Sequence, residues 1–258
     1  MKKLLKFFKR LLIGLAILIG ICIVLLYATD NQYIFRGVKL TYLKGHTTAN
    51  IDDLVDFDSR KIANGEVQEW ELSENYNKIL LTDTLLKELE AYKSAGFLII
   101  KDGKILNEQY FNGYSDTSLT NSFSVSKTML TMLLGKAIED GFIKSLDQSI
   151  IDFLPEFIDD SLAKSCTVGD LSSMTAGYDW SESYYLPLNP TAKAYYGRDI
   201  TEQMLSRSFV KESGKEFEYL SGVTQLLGIV VRRAIDKPLS EYLSEKFWKP
   251  LGMRTPAY

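Results

Sequence analysis

Residues 11–28 form an 18-residue run without a single charge, preceded by Lys2, Lys3, Lys6, Lys9 and Arg10. Every backbone N–H and C=O in such a run must be satisfied within the segment if it enters lipid, so the run is restricted to a helix. At about 1.5 Å per residue the helix is about 27 Å long, close to the thickness of a hydrocarbon core. The run exceeds an ordinary signal-peptide core, and no A-x-A-like site follows it. Cys22 follows Ile19-Gly20-Ile21, a poor lipobox because a small residue is wanted directly before the cysteine. The reading is an uncleaved signal anchor over residues 1–28, with a cleaved signal peptide as the alternative. The positive-inside rule keeps the basic end cytoplasmic and sends the remainder to the extracytoplasmic, periplasmic side of a single-pass chain.

Beyond the run, residues 29–258 carry 25 Lys+Arg against 33 Asp+Glu. That acidic balance leaves no electrostatic footprint for nucleic acid. Hydrophobic residues make up 46% of the 258, enough for a sizeable core. Only Cys22 and Cys166 are present, the first inside the apolar run, so no disulfide is expected in the soluble part. With one histidine, His46, no Cys/His cluster is available for zinc, and no metal or cofactor is expected. Cys166 reads as a small packing residue.

Residues 29–80 read as a juxtamembrane extension, with residues 38–43 as a possible short strand. Thr82 caps a helix bearing Leu85, Leu86, Leu89 and Tyr92 on one face. Phe97-Leu98-Ile99-Ile100 reads as a buried strand and residues 105–111 as its return. Asp102-Gly103 between them is a strong hairpin signal, because both central residues of that turn need positive φ. A Ser/Thr/Asn-rich loop over 115–122 precedes Val125, Met129, Leu130, Leu133, Leu134, Ala137 and Ile138, which follow helical spacing around much of a circumference and predict a central helix. Asp140-Gly141 ends it. Thr167-Val168-Gly169-Asp170 has the form of a capping box. Residues 176–200 read as a loop crowded with aromatics. Val223, Leu226, Leu227, Val230, Val231 and Ala234 predict a further helix, and Pro238 suits the first turn of the next. The pattern is α+β, a hairpin followed mostly by helix, with the globular domain over residues 81–258.

Ser-x-x-Lys occurs three times, at Ser124/Lys127, Ser161/Lys164 and Ser208/Lys211. Only Ser124 stands between a hairpin and a long apolar helix. There a serine hydroxyl stays accessible while Lys127, one turn on, points to the same side. The helix N-terminus also favours the negative charge that develops during acyl transfer. The bland alternative is an N-cap serine beside a solvated lysine. Tyr219 sits in Phe217-Glu218-Tyr219-Leu220-Ser221-Gly222, just before the second long apolar helix. A tyrosine near a lysine can shuttle protons, since the ammonium stabilises the phenolate. Taken alone, it is as readily an ordinary buried tyrosine.

Read together, these segments resemble the serine β-lactamase/penicillin-binding-protein superfamily, with closest similarity to class C β-lactamase-like esterases and 6-aminohexanoate-dimer-hydrolase-like proteins. Ser-Val-Ser-Lys-Thr resembles the family's nucleophile motif. Asp140-Gly141-Phe142-Ile143 with Leu146-Asp147 is similar to its D-G-x-I-x-L-D turn, and Phe153-Leu154-Pro155-Glu156 to the segment that follows. Residues 167–177 resemble T-x-x-D-L-L-x-M-T-S-G, residues 217–228 resemble F-x-Y-S-N-x-x-x-x-L-L-G, and residues 249–253 match x-P-L-G-M. Ser221 stands where many members have asparagine, which leans towards the amide-hydrolase and esterase branches. The resemblance implies a DD-peptidase/β-lactamase-like fold, an antiparallel sheet packed with a helical domain. It implies Ser124 as the acyl-accepting nucleophile, Lys127 and Tyr219 in proton transfer, and Ser221 bonded to Lys127 or to the substrate amide. The backbone N–H of Ser124 would be one oxyanion donor. Tyr195 and Tyr196 are lid or substrate contacts on this reading, or else pack the loop down.

Members of the family carry a third motif, K-T-G or H-x-G, after P-L-G-M, whereas this sequence stops at Tyr258. The expectation is therefore an incomplete C-terminal part and a poorly hydrolysing chain that exposes an apolar sheet edge. The leading function is a membrane-anchored serine hydrolase of small-molecule or peptide amides and esters. A catalytically silent module binding peptidoglycan fragments or a protein partner is the alternative. A Ser-His-Asp hydrolase would have to use His46.

Overall fold

The structure, a computed structural model, describes residues 2–258. Its N-terminal helix α1 (Lys2–Ala28) buries no residue, and by length and composition it is able to cross a membrane. The chain, α1 included, divides into two compact units, residues 2–50 with 137–235, and residues 51–136 with 236–258. The stretch read as a juxtamembrane extension is thus divided between them.

In the first unit the core forms around α8 (Ser221–Ile235), which buries Val223, Leu226, Leu227, Val230 and Val231 as its apolar spacing predicts. Against it pack α5 (Val168–Ser172) and α7 (Ile200–Leu205). The capping box is present: the Thr167 hydroxyl accepts from the Asp170 N–H at 3.1 Å, and the Asp170 carboxylate accepts from the Thr167 N–H at 2.9 Å. Phe157, Tyr178 and Phe209 add an edge-to-face cluster, with ring centroids 5.3 and 5.4 Å apart. Cys166 is fully buried, and burial pushes its thiol up to about 12.

The strand expected over residues 38–43 is replaced by helix. Residues Tyr33–Leu40 form α2, followed by a turn of 3-10 helix, Tyr42–Lys44. Tyr33, Gly37 and Leu40 share one face, and that face finds a partner in α6 (Pro190–Tyr196). The Tyr33 hydroxyl donates to the Pro187 carbonyl at 2.8 Å, Lys193 pairs with Asp30, and a side chain at Gly37 would meet the Tyr196 ring at 3.3 Å. Local β propensity yields here to packing against residues more than 150 positions away. The same helix α6 lies within what the sequence suggested was an irregular aromatic loop.

In the second unit, β1 (Gly96–Lys101) pairs antiparallel with β2 (Lys104–Tyr110), with a register irregularity at Ile99/Ile100. Asp102 and Gly103 have φ of 51° and 75°, as the hairpin signal requires. The strand β1 is not buried, however: Leu98 and Ile100 are 50% and 45% exposed. Residues 71–73 run beside the other strand, with Ile105 N–H donating to Glu71 O at 2.8 Å and Ser73 N–H to Ile105 O at 2.9 Å. Thr82 caps α3 (Asp83–Ala91) as expected, its hydroxyl accepting from Leu85 N–H at 3.3 Å, but α3 buries no residue and Tyr92 is exposed. The chain near its end is tied back by Ile62 and Ala257, whose backbones exchange bonds of 2.8 and 3.2 Å. Pro238 is the cap before α9 (Leu239–Leu243) and not within its first turn.

Helix α4 (Val125–Glu139) follows the hairpin and stops before Gly141, whose φ is 79°. It is central only in its second half. Leu133, Leu134 and Ala137 are buried, whereas Val125 is 63% exposed. The apolar circumference marks a helix whose first turns face a surface.

Candidate active site

Ser124 immediately precedes α4 and is exposed. The approach to it is an ordered turn. Asn121 N–H donates to Ile51 O at 2.7 Å, and the Asn121 side-chain oxygen accepts from Phe123 N–H at 2.9 Å. Phe123 has a φ of 44°, which a bulky non-glycine residue rarely adopts. That left-handed step turns the chain sharply into α4 and leaves Ser124 at its mouth. Lys127 then donates from Nζ to Ser124 Oγ at 3.1 Å. A charged donor on the hydroxyl oxygen stabilises the alkoxide over the alcohol, which is what a nucleophilic serine without histidine needs. The competing Ser208/Lys211 match is arranged otherwise, since Lys211 is bound to Glu216 and Glu218 at 2.9 and 2.7 Å.

Tyr219, Ser221, Tyr195 and Tyr196 belong to the first unit, Ser124 and Lys127 to the second. Tyr219 is 42% exposed, two residues before the half-buried Ser221 that opens α8. Tyr195 and Tyr196 end α6 as an edge-to-face pair 5.0 Å apart, and Tyr196 packs beside Gly37. His46, required by a histidine-dependent mechanism, lies 3.4 Å from Asn50 in the first unit.

One residue of the Ser221 arm, Glu182, escaped the sequence reading. The Glu182 carboxylate accepts from Ser221 N–H and Ser221 Oγ, each at 2.7 Å, and from Trp180 Nε1 at 2.9 Å. The Tyr184 hydroxyl donates to it as well. Burial alone would raise the Glu182 pKa, but the bonds from Tyr184, Ser221 and Trp180 outweigh it and hold the carboxyl below its ordinary range. Tyr184 is pushed up to about 12 by burial and by that same carboxylate, so its proton stays in place. The available signal was Glu182 as the sole acid between Asp179 and Asp199, in a segment rich in aromatic donors.

A family model described as Beta-lactamase matches residues 82–258. The chain belongs to the beta-lactamase family. Within the serine β-lactamase/penicillin-binding-protein superfamily it is 25% identical over 186 residues to an Escherichia coli K12 protein provisionally named D-alanyl-D-alanine carboxypeptidase, covering 63% of this chain and 42% of that one. It is 25% identical over 177 residues to a 6-aminohexanoate-dimer hydrolase of Paenarthrobacter ureafaciens, covering 65% of this chain and 45% of that one. The chain therefore spans under half the length of these two relatives. A solved Bacillus anthracis structure, provisionally described as a 6-aminohexanoate-dimer hydrolase, superposes with a TM-score of 0.64 at 19% identity, over 86% of this chain and 60% of that one. That likeness establishes the β-lactamase/DD-peptidase-like fold.

Proposed function

We propose that this beta-lactamase family member is a membrane-anchored serine hydrolase that cleaves amides or esters through an acyl-enzyme on Ser124. The observation that carries the reading is the 3.1 Å bond from Lys127 Nζ to Ser124 Oγ at the entrance of α4. Ser124 attacks the substrate carbonyl and its proton passes to the Lys127/Tyr219 pair. Tyr219 returns a proton to the leaving group, and water then releases the acyl group from Ser124. The Ser124 backbone N–H serves as one donor to the oxyanion. Ser221 supplies a contact beside the scissile bond, and Tyr195 and Tyr196 border the substrate.

The α1 helix anchors the chain, with its basic start in the cytoplasm and the hydrolase domain on the extracytoplasmic side. Support for hydrolysis comes from the two relatives, whose names describe a carboxypeptidase and a dimer hydrolase. The test is labelling of the full-length chain with a fluorescent fluorophosphonate or penicillin. The label is expected on the Ser124 peptide and is expected to vanish in Ser124→Ala. An unlabelled wild-type protein would favour a binding module over an enzyme.

A further inference from the structure

The four bonds on Glu182 are of two kinds. Oε2 accepts from Trp180 Nε1 and from Ser221 N–H, at 2.9 and 2.7 Å, and both are fixed donors that cannot turn round. Oε1 accepts from the hydroxyls of Ser221, at 2.7 Å, and Tyr184, both of which rotate. An ionised carboxylate only accepts, so it claims both hydroxyl protons. Ser221 Oγ is left with lone pairs and nothing to donate.

We propose that Glu182 is a positioning residue which fixes Ser221 as a hydrogen-bond acceptor, so that the site selects substrates by an N–H group and prefers amides to esters. The inference rests on the reading of Ser221 as a substrate contact. It deepens that reading by naming the substrate class. A serine in this place is otherwise ambivalent: its hydroxyl can donate to a carbonyl or ester oxygen as easily as it accepts from an amide. The carboxylate removes the choice. An ester oxygen facing Ser221 meets lone pair against lone pair, whereas an amide N–H completes a bond.

The same geometry predicts what the isosteric substitution does. In Glu182→Gln the amide oxygen must serve the two fixed donors, Trp180 Nε1–H and Ser221 N–H. The amide nitrogen then faces the two hydroxyls. Ser221 rotates to accept from it and turns its own proton outward. Glu182→Gln thus converts Ser221 from acceptor to donor without changing the size of any side chain.

The experiment uses full-length protein carrying Ser124→Ala, so that ligands bind without turnover. Its ligands are hexanoylglycine and the ester isostere hexanoyloxyacetate, titrated by calorimetry. The parent is expected to bind the amide about three- to tenfold more tightly, the worth of one partly exposed hydrogen bond. Adding Ser221→Ala should bring the ratio to about one, and adding Glu182→Gln should reverse it. Ser221→Ala removes no part of the Glu182 scaffold's bulk, so it keeps the test decisive if Glu182→Gln fails to fold. A parent that binds the two ligands equally, or binds neither, overturns the proposal, as does a ratio unchanged by both substitutions. Failure of Ser124 to take a fluorophosphonate label in otherwise wild-type protein overturns the catalytic reading alone. The ligand ratios then still decide the role of Glu182.

Discussion

Lys127 reaches back one helical turn and donates to the Ser124 hydroxyl oxygen at 3.1 Å. The contact depends on the turn at Phe123, whose φ of 44° sets Ser124 at the entrance of α4 and not along it. If Lys127 lowers the cost of deprotonating Ser124, then Lys127→Ala should slow acylation by about 10²–10⁴-fold. The bond that is lost is solvent-exposed, so this loss should come with little change in thermal stability. Stopped-flow labelling alongside a melting curve separates the two.

Gly222 follows Ser221, and a Cβ there would come within 2.4 Å of the Trp180 ring. Trp180 in turn donates to Glu182. Gly222→Ala should therefore push the indole off its carboxylate and destabilise the protein by about 1–3 kcal/mol through overpacking. Denaturant unfolding measures the cost, and a shift in tryptophan emission reports the displaced ring.

The Glu182 carboxyl lies below its ordinary pKa of 4.5 in the folded protein. Its unfolded form therefore takes up a proton first as pH falls. The stability it contributes is complete above about pH 4.5 and is lost as pH drops through the lower folded value. Melting temperatures between about pH 6 and about pH 3 should show this acid branch in the wild type. In Glu182→Gln the branch should be weaker, because residue 182 no longer titrates.

Tyr33 ties α2 to the segment before α6 through its 2.8 Å bond to Pro187 O. Tyr33→Phe should cost about 0.5–1.5 kcal/mol. Removing residues 1–50 should cost far more than removing residues 1–28, because only the longer deletion strips α2 from the first unit. Comparative proteolysis of the two shortened chains distinguishes a structural α2 from a mere tether.

How much of this was legible depended on how far each determinant lay along the chain. The Asp102-Gly103 turn, the Thr167/Asp170 capping box and the apolar face of α8 are set by residues a few positions apart, and local pattern found all three. The α2 helix was missed because its covering partner, α6, lies about 150 residues on. Glu182 was missed for the same reason, since its partner Ser221 is 39 residues away. The exposed first half of α4 misled in the other direction, because apolar residues that border a surface carry the same pattern as those of a core.

The most direct test of the central claim is intact-mass and peptide mapping of the full-length protein after reaction with a fluorophosphonate. A single adduct on the peptide containing Ser124, formed slowly in Lys127→Ala and in Tyr219→Phe and absent in Ser124→Ala, is the predicted result. A wild-type protein that gains no mass, or an adduct that persists in Ser124→Ala, would contradict it.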